Sequence, residues 1–326
     1  MRPFTYVRPA DEPAALAASA AAGARFLGGG TTLIDLMRLD VMQPTALVDL
    51  GTLPRATIAA GGDGVTVGAT ARNSDVAHHE LIVTRYPALA EAILAGASPQ
   101  VRNMATVGGN LLQRTRCPYF RDVATACNKR APATGCAALD GYTRSHAILG
   151  TSDHCIATHP SDMCVALVAL DAVVHLRGPG GERAVPVADF HTLPGDRPDI
   201  ESVVGHGELI TAVALPATAR AARSRYVKLR DRAAFAFALA SAAVALELRG
   251  GTIASVRIAL GGVATKPWRA LAAEAALLGQ PPTADRFARA AAAAVEGAAP
   301  RHDNRFKIEL ARRAVIRALE RAAGEP

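Results

Sequence analysis

Four of the five cysteines in this 326-residue chain fall between positions 117 and 155, in "CPYFRDVATACNKRAPATGC" and "TSDHCIATHP". Their spacing is Cys117-x9-Cys127-x8-Cys136-x18-Cys155. Three chemistries use thiols gathered in this way. Disulfides suit small exported domains that lack a sufficient core, and this chain is too long to need them. Structural zinc sites commonly contain a C-x2–4-C pair, and none is present. Four separated thiolates on a wrapping loop suit an iron–sulfur cluster, which tolerates varied spacing. The cluster is the favoured reading, with zinc and disulfides as its alternatives. Cys164 stands apart in "DMCVALVALDA", an apolar helix where a free cysteine behaves as a small hydrophobe. His146, His154 and His159 flank the segment and read as hydrogen-bonding or surface residues, because histidine ligation of clusters is uncommon outside Rieske centres.

Two glycine loops could bind an anion. "RFLGGGTTLIDL" places Gly28, Gly29 and Gly30 between a strand and a helix, where bare backbone amides and the helix dipole favour negative charge. A tight turn would use the same residues, and neither G-x-G-x-x-G nor GK[ST] is present. "TVGGNLL" repeats the theme with Thr106, Gly108, Gly109 and Asn110. A pair of such loops suits a long ligand with phosphates, such as a dinucleotide. In "HPSDMCVALVAL", Ser161 or Asp162 caps a helix. Asp162 is also a candidate acceptor for ribose or ribityl hydroxyls.

Several elements must position these residues. The first fifty positions alternate strand and helix as a βαβαβ unit, which predicts a small parallel sheet. "GGDG" at 61–64 predicts a hairpin. An antiparallel unit follows, with helix "DMCVALVALDA" and strands "VVHLRG", "RAVPVADF" and "ITAVALP". "SRYVKLRDRAAFAFALASAAVALELRGGTIASVRIALGGV" predicts a long hairpin turning at Arg249-Gly250-Gly251, with helical character in its alanine-rich part. Two amphipathic helices, "ADRFARAAAAAVEG" and "NRFKIELARRAVIRALERAAG", complete the chain. No run of 18 apolar residues exists, so no membrane insertion is expected. The net charge of +7 is spread over arginines interleaved with acids. Aromatic residues are only 4%, so nucleic acid is not the expected partner. The alanine-rich stretch after "DEP" lacks the large apolar residues of a signal peptide, so no targeting signal is expected in this chain.

In order, "GGGTTL", "RNMATVGGNL", "SDM", "YVKLRDRAAFAFALASAAVALEL" and "ALGGVATKPWRA" resemble the FAD-binding medium subunit of the xanthine dehydrogenase, or molybdenum hydroxylase, family. The resemblance spans nearly the whole chain. It implies an α+β fold: a two-lobed FAD-binding domain of the vanillyl-alcohol oxidase type and a C-terminal domain of sheet and helices. The implied divisions are residues 1–56 and 57–218 for the lobes, an insertion at about 114–158, and 219–326 for the last domain. Leu27, Gly28, Gly29, Gly30, Thr31, Thr32 and Leu33 match the first FAD pyrophosphate loop. Thr106, Gly108, Gly109 and Asn110 match the second. Asp162 matches a ligand of FAD hydroxyls, Ile210 an aliphatic flavin contact and Lys228 a lysine beside the flavin.

The cysteine insertion is absent from most of that family. It resembles the one in members acting on aldehydes in the periplasm or on hydroxybenzoyl-CoA, where it carries a 4Fe–4S cluster. Cys117, Cys127, Cys136 and Cys155 are then the cluster ligands, and the cluster is expected to order the segment. The resemblance further implies partner subunits carrying the molybdenum cofactor and a 2Fe–2S cluster. Electrons would pass from molybdenum through 2Fe–2S to FAD and an external acceptor. Catalytic residues for substrate oxidation are not expected here. Cytoplasmic assembly is implied, with export on a partner's signal in a periplasmic case. A stand-alone flavin oxidase of the vanillyl-alcohol oxidase type is the alternative, although neither glycine loop offers a residue to tether FAD.

Overall fold

The computed structural model describes residues 1–324. Its first sheet contains β1 (Thr5–Val7), β2 (Ala24–Leu27) and β3 (Ala46–Asp49), all parallel, with β3 central. The helix Glu12–Ser19 starts where Asp11 accepts the Ala14 N–H at 2.9 Å, an N-cap followed by Pro13 in the first turn. This is the expected βαβαβ unit.

Five antiparallel strands form the second sheet, in the order β4 (Ile58–Gly61), β5 (Gly64–Gly68), β8 (Leu209–Pro216), β6 (Val173–Gly178) and β7 (Gly181–Pro186). Gly61 pairs with Gly64 across the expected tight turn. β7 is shorter than its sequence suggested. After Pro186 the chain enters a one-turn helix, Val187–Phe190, which buries Val187 and Phe190. The helix Asp162–Ala169 shares one core with this sheet, with every residue buried.

The third sheet runs β12 (Trp268–Arg269), β11 (Thr252–Gly261), β10 (Ala240–Arg249) and β9 (Ser224–Leu229), all antiparallel. The helical character expected near Ala240–Ala245 is absent; the segment is strand throughout. Tertiary packing overrides the helix propensity of alanine here. Ala243 and Ala245 face the core shared with the helix Asp162–Ala169, while Ala240, Ala242, Val244 and Leu246 face a second core under the helix Phe306–Ala323. Small residues let two helices approach the strand from opposite faces. Ala284–Ala293 is the other expected amphipathic helix; Leu271–Leu277 is an additional one.

Candidate functional site

A cleft of about 400 Å³ opens between the first and second sheets, a size usual for small-molecule sites. Gly28–Leu33, Thr106, Gly108, Gly109 and Ile210 all line it. A smaller extension begins at Thr31, Thr32 and Gly109 and continues past Asn110 to Asp162. The two glycine loops predicted from sequence therefore meet in one continuous groove, with Asp162 at its far end. Leu27 sits behind the groove, its carbonyl accepting the Leu50 N–H at 2.9 Å.

The loops touch backbone to backbone. A Cβ on Gly29 would come within 1.8 Å of the Met104 carbonyl oxygen, and one on Gly28 within 2.6 Å of Thr106 Oγ1. Gly30 holds φ at +72°, which favours glycine. The loops differ in what their amides do. Those of Gly29 to Thr32 donate to no backbone carbonyl and are free for a ligand. In the second loop Gly108 N–H donates to Ala69 O at 2.8 Å, Gly109 N–H to Thr106 Oγ1 at 3.2 Å and Asn110 N–H to Thr106 O at 2.8 Å. Only the first loop thus offers a row of open amides; the second is a capped helical turn, Val107–Leu111, that shapes the wall.

At the far end, Asp162 is buried and held on both oxygens. Lys228 Nζ lies 2.7 Å from Oδ2, and the Tyr226 hydroxyl donates to Oδ1. Lys228 also donates to Ala95 O at 3.0 Å. Burial and the Asp162 charge push the Tyr226 phenol well above its ordinary range. Lys228 therefore reaches the groove through Asp162 instead of lining it. Ser161 caps the helix, accepting the Cys164 N–H at 3.0 Å and donating to Asn110 Oδ1 at 2.6 Å. That bond joins the second loop to the third site element.

The four cysteines surround one closed void, lined also by Tyr119, Phe120, Lys129 and His154. Cys117, Cys127 and Cys155 are buried, Cys136 is partly so, and all are free thiols. Cys127 and Cys136 pair as an isolated antiparallel bridge. Burial pushes the Cys117 thiol up to about 12, and the neighbouring Cys127 and Cys155 add to the shift. Cys136 and Cys155 are raised for the same reason. Elsewhere in the core, His159, Cys164 and His191 form a trio with ligand atoms all within 4.8 Å of one another.

That trio is a neutral core contact. Burial lowers both imidazoles, His191 to about 4. His159 Nδ1 accepts the Ser161 N–H at 3.3 Å, which leaves its proton on Nε2.

The cysteine segment and the groove share a wall. Leu36, in the helix Leu33–Arg38 that follows the first glycine loop, is fully buried among the cysteines. Asp35 of the same helix receives Arg121 at 2.8 Å and Arg116 at 3.2 Å. Arg114 lines the groove and stacks on Phe120 beside the void. It also pairs with Glu201, which Lys129 reaches at 3.0 Å. Sequence reasoning missed Arg114, Glu201 and Tyr226, because isolated charges and a tyrosine within a strand carry no spacing signal. The segment also has its own hydrogen bonds: Arg130 to the carbonyls of Tyr119 and Phe120 at 2.8 Å, and Gly135 N–H to Asn128 Oδ1 at 2.8 Å. Its fold is more than a wrapping around a cofactor.

A family model described as the FAD binding domain in molybdopterin dehydrogenase matches residues 2–218. A second, the CO dehydrogenase flavoprotein C-terminal domain, matches residues 225–323. The chain belongs to this family of FAD-binding medium subunits. It is 47% identical to the aldehyde oxidoreductase FAD-binding subunit PaoB of Escherichia coli, over all of both chains. It is 28% identical to the carbon monoxide dehydrogenase medium chain of Hydrogenophaga pseudoflava, covering 98% of this chain and 96% of that one. The solved carbon monoxide dehydrogenase from that organism superposes with a TM-score of 0.78 at 29% identity, covering 99% and 98% of the two chains. The chain is a flavoprotein component of the oxidoreductase type, and the open amides of Gly29 to Thr32 fit the diphosphate of FAD. Among the described residues, no helix is long and apolar enough to cross a membrane.

Proposed function

We propose that this chain is the electron-transfer subunit of a molybdenum-containing aldehyde oxidoreductase, with FAD in the groove and a 4Fe–4S cluster in the cysteine void. The observation that carries the proposal is the convergence of four thiols on one closed void, a single helix away from the first glycine loop. Cys117, Cys127, Cys136 and Cys155 line one void without the C-x2–4-C pair common in structural zinc sites, and four thiolates are the ligand set of a cubane. Aldehydes are the favoured substrate class because of the full-length similarity to the Escherichia coli subunit.

In this reading Gly28–Leu33 hold the FAD diphosphate through the open amides. Thr106, Gly108, Gly109 and Asn110 form the opposite wall, Ile210 packs on the flavin and Asp162 receives FAD hydroxyls. Lys228 orients Asp162. FAD exchanges electrons singly or in pairs, so it can collect from an iron–sulfur relay and pass pairs to an acceptor. The substrate is oxidised on a large molybdenum subunit, and a small 2Fe–2S subunit delivers electrons. The lobes are residues 1–56 and 57–218 with the cluster insertion at 114–158, and 219–326 is the C-terminal domain. Assembly is cytoplasmic, with export on a partner's signal where the complex is periplasmic.

The absorbance spectrum of the purified chain tests this reading. Flavin bands over broad iron–sulfur absorption are expected. Flavin bands alone would remove the cluster from the proposal, and a spectrum without flavin would remove the assignment of the groove.

A further inference from the structure

Behind the Cys117 sulfur stands a buried imidazole: His146 Nε2 lies 3.2 Å from Sγ. His146 does not line the void that the four cysteines enclose, so it approaches the sulfur from outside the ligand set. We propose that His146 is a redox-tuning residue, its Nε2–H donating to the Cys117 sulfur and raising the potential of the cluster. The inference rests on the cluster reading above.

Hydrogen-bond accounting fixes the direction of the contact. A free Cys117 thiol could donate its own proton to Nε2. A sulfur bound to iron has no proton and can only accept, so the proton must sit on Nε2. Nδ1 then carries a bare lone pair, and Nδ1 is the ring atom that is buried without a partner. A leucine or phenylalanine would fill this volume without burying an unpaired nitrogen.

The ring is also held still. His146 is 1% exposed, and its N–H donates to Thr143 O at 2.9 Å. Its carbonyl accepts from Lys307 Nζ at 2.9 Å and from Asn304 Nδ2 at 3.3 Å. Lys307, fully buried, donates to Ser145 O and Gly262 O as well. The helix that carries Lys307 therefore fixes the backbone from which the imidazole reaches the sulfur. A donor to a ligating sulfur stabilises the reduced, more negative cluster and raises its potential. When one electron is added from dithionite, His146 keeps its proton and the charge stays on the cluster.

An EPR-monitored redox titration of the full chain, with iron and sulfide analysis, tests the proposal in wild type, His146→Leu and His146→Gln. The leucine variant is expected to keep wild-type iron with a lower midpoint potential, and the glutamine variant, which retains a donor, to recover most of the difference. Pulsed EPR of the reduced wild-type cluster is expected to show a weakly coupled imidazole nitrogen. That measurement serves even where the leucine variant fails to fold. An unchanged potential in a leucine variant with full iron, or no coupled nitrogen in wild type, overturns the role of His146 and leaves the cluster standing. Wild-type protein without iron overturns both.

Discussion

Asp162 shows how one residue can serve the fold and the site together. It opens a fully buried helix, and its carboxylate is compensated by Lys228 at 2.7 Å and by the Tyr226 hydroxyl. Removing one partner of a buried pair leaves an uncompensated charge. Lys228→Met should therefore destabilise the chain by about 3 kcal/mol in urea denaturation; a change within experimental error would show that the pair is not buried in solution. His191 makes a second residue-scale prediction. Burial lowers it to about 4, against an ordinary value of 6.5. The folded state thus binds fewer protons than the unfolded chain between those values, and stability falls as pH drops from 6.5 towards 4. The full effect is about 3 kcal/mol. Thermal unfolding followed from pH 7 to 4.5 should show a shallower decline for His191→Gln than for wild type, and parallel curves would refute the assignment.

The glycine loops are the elements whose roles the structure separates. Sequence marked both as anion cradles, yet Gly29 is required by the Met104 carbonyl pressed against it, and the amides of Gly108, Gly109 and Asn110 are already engaged. Gly29→Ala should lose thermal stability and flavin together. Gly109→Ala meets only Thr106 Oγ1, at 3.0 Å, and should fold near normally while holding flavin less tightly. Thermal melts and bound flavin per chain distinguish the two; equal behaviour would mean the loops are equivalent after all. The parallel βαβ start, the hairpins and the long C-terminal helix were legible because periodicity and turn residues agree there. The hairpin of β10 and β11 was among these, but that its alanine-rich arm is strand throughout was not legible, because this depends on helices packed on both faces, and those are distant in sequence. The helix Pro87–Ala95 was legible in "YPALAEAILAGA", but Asn73–His78, Glu80–Arg85, Pro99–Met104 and Val107–Leu111 escaped notice; five or six residues are too few for a clear period.

At the scale of the molecule, the groove and the cysteine void are two compartments with a common wall. The helix Leu33–Arg38 sends Leu36 into the cysteine core, Asp35 to Arg116 and Arg121, and its N-terminus to the first glycine loop. The candidate ligands of both compartments were legible as residue types and spacings. Their common wall was not, since Arg114, Glu201 and Lys129 meet only in three dimensions. On the proposed reading, this arrangement serves as a conduit for electrons, with substrate oxidised elsewhere. The isolated chain should therefore oxidise no aldehyde, and activity should require molybdenum and 2Fe–2S partners; turnover by the single chain free of molybdenum would refute the conduit. The most direct test of the whole account is iron, acid-labile sulfide and low-temperature EPR on the five single cysteine-to-alanine variants. The account predicts loss or degradation of a 4Fe–4S cluster in the Cys117, Cys127, Cys136 and Cys155 variants, with wild-type iron in Cys164→Ala. Zinc in place of iron, or cluster loss confined to Cys164→Ala, would contradict it.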